Sequence, residues 1–197
     1  TIAMNGSIGT EFSEANRYAK QSVIGKGGAG TVYVGLDRKF NRMVAIKQIP
    51  LNVLGFEKNY SELSPLEKDR ILGEPKTMAN FQHPNIVYVY DVWIDSDGLN
   101  IVMEYVNGGS LAEKARGNGG MPPEAVIDIG CQLCDALAAV HDKNIVHRDI
   151  KPGNVLLTGQ GMPKLVDFGL VLSDGPNNNG ILGSFMGTLA YMSPEQK

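Results

Sequence analysis

The run Gly25-Lys26-Gly27-Gly28-Ala29-Gly30 limits what this chain can fold into more than any other feature. It sits between "YAKQSVI" and "TVYVGLD", and both flanks alternate β-branched and aromatic residues. The segment therefore reads as strand, glycine-rich turn, strand. Glycines let a backbone pass close to a phosphate chain with N–H groups aimed at it. A dinucleotide-binding fold would follow such a cluster with a helix. Strand character continues here instead, so that fold is set aside. A hairpin over a phosphate and a hairpin with no ligand both remain open at this point.

The rest of the first hundred residues extends the β pattern. "RMVAIKQI" reads as a third strand and sets Lys47 among apolar residues. Such a lysine either snorkels outward or is held inward as a phosphate partner, and its spacing from the glycine cluster favours the second. Residues 51–63 read as a loop. Ser64, Pro65 and Glu67 supply an N-cap, a first-turn proline and a capping-box acid for a helix. Gly73 and Pro75 are expected to kink that helix or delay its start. "NIVYVYDVWI" and "LNIVMEYV" read as strands joined by a "DSDG" turn.

After Gly108-Gly109 the pattern changes. Val126, Ile129, Leu133, Leu137 and Val140 fall on one face of a helix over residues 123–142. Short strands are expected at 155–157 and 164–166, and a Gly/Asn-rich loop at 173–187. The reading is an α+β fold. A linker or tail covers residues 1–17. An antiparallel β lobe with one helix covers residues 18–104, and a mainly helical lobe covers residues 105–197, the two meeting at a hinge near 104–109.

Bulk properties exclude some partners. The net charge of −3 argues against a broad grip on nucleic acid or anionic lipid. No apolar run is long enough to span a membrane, and no signal peptide is visible. Cys131 and Cys134 have no second Cys/His pair at zinc spacing, so they read as two small core-facing thiols in a chain suited to a reducing cytoplasm. The start at Thr1, and the stop just after the motif-like Ser193-Pro194-Glu195, read as a fragment cut at both ends.

The stretch "IVHRDIKPGNVLL" carries His147, Arg148, Asp149, Lys151 and Asn154, more polar groups than a packed loop needs. Asp167-Phe168-Gly169 follows a short strand. Asp167 is either a turn residue or, with Asn154, an oxygen ligand for a divalent cation such as magnesium.

In this order the glycine loop, Val44-Ala45-Ile46-Lys47, His147-Arg148-Asp149 with Asn154, Asp167-Phe168-Gly169 and Ser193-Pro194-Glu195 resemble the catalytic domain of eukaryotic-like (Hanks-type) serine/threonine protein kinases. The resemblance covers roughly residues 18–197 and leans towards the bacterial members. It implies a two-lobed kinase fold and magnesium-dependent transfer of the γ-phosphoryl of ATP to protein Ser/Thr hydroxyls. It implies Asp149 as catalytic base, Lys151 as neutraliser of the transferred group, and Asn154 and Asp167 as magnesium ligands. Lys47 would hold the α and β phosphates and pair with Glu74, while residues Gly25, Lys26, Gly27, Gly28, Ala29 and Gly30 cover them. Ile24, Val32, Ala45 and Leu156 would enclose adenine, the backbone of Glu104 and Val106 would bond it, and Met103 would be the gatekeeper. His147 would pack rather than catalyse. Thr188 matches the Ser/Thr class. Arg148 would bind a phosphate on the activation loop, with Ser184 as the expected phosphosite.

The chain also departs from the family. Pro75 disturbs the helix of Glu74. The interval from Lys47 to Glu74 is 74 − 47 = 27 residues, which is long. The helices that follow Ala-Pro-Glu in the family are missing, so the piece is expected to be poorly stable and inactive alone. Two other readings compete. A pseudokinase or interaction module is disfavoured because Lys47, Asp149, Asn154 and Asp167 are all retained. A small-molecule kinase is disfavoured by Lys151, Thr188 and Ser193-Pro194-Glu195.

Overall fold

Alternating β-branched residues produce five strands in one antiparallel sheet, β1 (Tyr18–Gly27), β2 (Gly30–Asp37), β3 (Arg42–Ile49), β4 (Val89–Asp95) and β5 (Gly98–Glu104), ordered β1-β2-β3-β5-β4. This computed structural model describes residues 16–28, 30–117, 120–168 and 189–191. Ala29, Ser184, Thr188, Ser193-Pro194-Glu195, the 173–187 loop and most of the 1–17 segment lie outside them. The register sets Val32 opposite Lys47, Lys47 opposite Ile101 and Ala45 opposite Met103. Two irregularities in the β1–β2 pairing lie just before the glycine turn, and such bulges re-aim a strand. Gly30 has φ +113°, and a Cβ there would meet Gln48 O at 2.2 Å, so only glycine fits.

Helix α1 (Pro65–Ala79) starts where the capping signals place it. Ser64 Oγ accepts the Glu67 N–H at 3.3 Å and Glu67 Oε2 accepts the Ser64 N–H at 2.8 Å. The Ser64 N–H and hydroxyl, with Lys58 Nζ, all donate to the Glu67 carboxylate and hold it at about 2, below the usual carboxylate range. Ser64→Ala should lower unfolding stability by about 1 kcal/mol, measurable by chemical denaturation of the full-length protein. The helix does not start late, because α1 runs from Pro65 through Gly73 and Pro75. Pro75 is buried, and packing of α1 on the sheet offsets the cost of its lost hydrogen bond. Thr77 Oγ1 donates to Gly73 O at 2.9 Å, adding a bond within the same stretch.

Residues 51–63 form a loop of turns, as the sequence suggested. They include a 3-10 turn at Tyr60–Glu62. Leu51, Leu54 and Leu63 join Ile49, Ile71, Ile94, Leu99 and Ile101 in one core cluster.

The second half supplies one short helix, one long helix and two short strands. α2 (Leu111–Arg116) is followed by α3 (Pro123–His141), then β6 (Val155–Leu157) and β7 (Pro163–Leu165). Strand β7 lies one residue earlier than the sequence suggested. It docks on the segment after α1, where Ile86 bridges Leu165 and Asn85 Nδ2 donates to Pro163 O at 3.0 Å. Ile129, Ala136 and Val140 are the buried residues of α3, with Leu133 and Leu137 packed beside them. Val126 is exposed, since the short β7 covers only the later part of the expected face. Cys131 and Cys134 are free and exposed rather than core-facing. At about 100° per residue they turn well away from the Ile129–Ala136–Val140 line. Among the described residues, no helix is long and apolar enough to cross a membrane.

Candidate active site

Two polar clusters meet where β3, the loop after α3 and the end of β7 converge. In the first, Lys47 reaches inward from β3. Its side chain is 5% exposed, and its Nζ donates to Asp167 Oδ1 at 2.7 Å. An ammonium so far from water needs such a partner. Glu74 lies on α1, as its helix assignment required; its side chain falls outside the described residues.

The second cluster is the 147–154 loop. Asp149 Oδ2 accepts from Lys151 Nζ at 2.7 Å and from Asn154 Nδ2 at 2.7 Å. Asn154 Nδ2 also donates to Asp149 O at 2.8 Å. The amide nitrogen of Asn154 is thus turned to Asp149, and its carbonyl oxygen is directed elsewhere. A 3-10 turn at Pro152–Asn154 gives the tight return that a five-residue spacing needs.

His147 and Asn154 join the two clusters. His147 is buried; its Nε2 lies 2.8 Å from Val166 O, and its Nδ1 accepts the Asp149 N–H at 3.3 Å. Accepting at Nδ1 fixes the proton on Nε2, so the neutral ring donates to Val166. The ring also packs on Phe168, with centroids 4.5 Å apart. Asn154 O accepts the Val166 N–H at 3.0 Å. Arg148 and Asp167 have φ of 65° and 61°, values rare for residues with a side chain. Backbone strain of this kind persists only where surrounding bonds hold it, and the His147 and Asn154 bonds flank both residues.

Burial pushes the His147 pKa below its ordinary 6.5, outweighing the carbonyl and carboxylates nearby. The unfolded chain then binds the proton more readily than the folded one, so stability is full above about pH 6.5 and falls as pH drops through and below it. The melting temperature of the wild type should fall more steeply between about pH 7 and pH 5 than that of His147→Gln. Parallel curves in differential scanning fluorimetry would show that His147 does not carry this linkage.

The remaining candidates are spread over β1, β2, β3, the end of β5, β6 and the 147–154 loop. Ile24 and Lys26 are exposed on β1; Val32 sits opposite Gly25 on β2; Ala45 is buried on β3. A Cβ at Gly27 would meet nothing within 4 Å, so packing does not demand that glycine. Gly28 lies exposed in the turn. Met103 and Glu104 end β5, and Val106 is buried just beyond. Gly108 N–H donates to Leu157 O, and Leu157 N–H to Gly109 O, each at 2.8 Å. A Cβ on Gly108 would meet Leu157 O at 2.3 Å. This close approach brings Leu156, on β6, alongside the segment after β5. Arg148 is exposed and lies beside Asp149, on the loop. A cavity of about 40 Å³ lies behind the Lys47–Asp167 pair, between Pro75 and Met78 of α1 and Met103 of β5.

Sequence reasoning missed Lys164. It is buried on β7 and its Nζ donates to Glu104 Oε2 at 2.8 Å. A lysine three residues before Asp167, in a short strand-like stretch, was the available signal.

The fold combines a five-stranded antiparallel sheet carrying a glycine-rich hairpin with a buried lysine paired to an aspartate. The family model described as "Protein kinase domain" matches residues 18–196, and the chain belongs to that family. A probable serine/threonine-protein kinase of Clostridium perfringens is 39% identical over 92% of this chain and 25% of its own length. The serine/threonine-protein kinase PknL of Mycobacterium bovis is 38% identical over 92% of this chain and 43% of its own. The chain thus spans less than half the length of these relatives. The crystal structure of Rad53 residues 1–466 in complex with AMP-PNP is similar with a TM-score of 0.73, at 27% identity, covering 92% of this chain and 42% of that one.

Proposed function

We propose that this chain transfers the γ-phosphoryl group of ATP to Ser and Thr hydroxyls of proteins with magnesium. The observation that carries it is the linked cluster in which Asp149, Lys151 and Asn154 are tied through His147 and Val166 to the Asp167–Lys47 pair. Phosphoryl transfer requires positioning and charge neutralisation more than covalent catalysis, and this set supplies both. Asp149 orients the attacking hydroxyl and accepts its proton. Both of its side-chain bonds land on Oδ2, so Oδ1 is the oxygen assigned to the hydroxyl. Lys151 neutralises the transferred group. Lys47, paired with Glu74, holds the α and β phosphates under the hairpin formed by residues 25–30.

Asn154 Oδ1 and the Asp167 carboxylate fit a magnesium site. Magnesium takes hard oxygen ligands and few protein side chains, the substrate phosphates supplying others. When bound, the ion neutralises phosphate charge.

Adenine sits among Ile24, Val32, Ala45 and Leu156, beside Met103, and bonds the backbone of Glu104 and Val106. Residues 18–104 form the upper lobe and residues 105–197 belong to the lower one, after a tail over residues 1–17. The free thiols suit a cytoplasmic setting. Thr188 belongs to the Ser/Thr-specific segment. Arg148 receives a phosphate on Ser184.

The test is transfer of labelled γ-phosphate by the full-length protein to a generic protein substrate, with and without magnesium. Labelled phosphoserine and phosphothreonine that need magnesium are expected, with phosphate on the Ser184 peptide by mass spectrometry. A folded protein that binds ATP and transfers nothing would favour the interaction-module reading instead.

A further inference from the structure

The proposed chemistry makes no use of the buried Lys164 side chain. The side chains of Lys164 and Glu104 are 4% and 23% exposed, with 2.8 Å between Nζ and Oε2. The same Oε2 accepts the Tyr88 N–H at 3.3 Å, and the Glu104 N–H donates to Tyr88 O at 2.8 Å. The Lys164 ammonium also lies 4.9 Å over the Tyr88 ring. Removing a strongly hydrated ammonium from water costs several kcal/mol, and an apolar replacement of both partners is often as stable. Stability alone therefore gives little reason for this pair, and what it connects is more informative.

Lys164 stands opposite Leu156 in the β6–β7 ladder and three residues before Asp167. Glu104 is the last residue of β5. One short bond thus ties the end of β5 to the strand pair that bears Leu156 and leads into Asp167.

We propose that Lys164 and Glu104 are a positioning pair that fixes the gap between the backbone at 104–106 and Leu156, and so sets the width of the adenine slot. The proposal rests on the ATP-dependent reading above. A slot held at its bound width loses less freedom on binding, which favours affinity.

The test uses the full-length protein with Lys164→Met, Glu104→Gln and the charge-swapped pair Glu104→Lys/Lys164→Glu. Lys164→Met should raise KM for ATP and Kd for ADP about tenfold, with the larger share of the loss in KM rather than kcat. The swapped pair should recover most of that affinity. Because a lone buried charge can unfold the protein, Lys164→Met/Glu104→Leu removes both charges at once. It should keep its melting temperature and still bind ADP about tenfold more weakly. Wild-type ADP affinity in that double variant, or a fall in melting temperature with unchanged affinity in Lys164→Met, would overturn the positioning role alone. A wild type that binds no ADP would overturn the ATP-dependent reading together with it.

Discussion

Asp149→Asn should lower phosphoryl transfer by about 10²–10⁴-fold and leave ATP affinity nearly unchanged. The side chain faces Lys151 and Asn154, and no nucleotide contact is assigned to it. Asparagine keeps the shape and can still accept from Lys151, so the loop should hold its form. It loses the negative charge that makes the oxygen a proton acceptor. Single-turnover transfer measured beside calorimetric ATP binding separates the two effects. Loss of ATP binding in a variant that melts like the wild type would move Asp149 out of the base role.

Asp167→Asn should have a larger combined effect, because one carboxylate serves two cations. It faces the Lys47 ammonium at 2.7 Å and is assigned to magnesium. Losing a preorganised charge at the reacting phosphate should lower kcat by at least about 10²–10³-fold, with a higher magnesium requirement. Breaking a fully buried ion pair costs about 3–5 kcal/mol. Asp167 is 35% exposed, so water screens the pair and the stability loss should fall below that range. Kinase assays across magnesium concentrations and urea melts of the same preparation read both quantities. Transfer at the wild-type rate would remove Asp167 from the site.

Local signals were legible wherever the cause was local. The Ser64–Glu67 capping box is a four-residue interaction, and α1 begins where it says. The Gly30 turn needs a positive φ that the residue type announces. The 147–154 loop could be recognised because its polar residues have a fixed short spacing, which one 3-10 turn converts into contacts.

The errors arose where packing overrides local preference. Pro75 argues for a later start in an isolated helix, yet α1 begins at Pro65 and takes in Pro75, because its buried face is held against the sheet. Residues 51–63 show no period, yet Leu51, Leu54 and Leu63 enter the core, since irregular backbone can still deliver apolar side chains. The thiols of α3 look apolar in sequence, but their rotation about the helix axis puts them outside the packed line.

The sequence by itself therefore determined the family, the order of the elements and the identity of the charged residues. Tertiary structure alone decided which charges meet. Lys47 and Asp167 are 120 residues apart, and Glu104 and Lys164 are 60 apart. No local spacing encodes such pairs. They form because the register of β3 against β5, and of β6 against β7, carries side chains from remote segments into one water-poor cleft, where each charge requires the other.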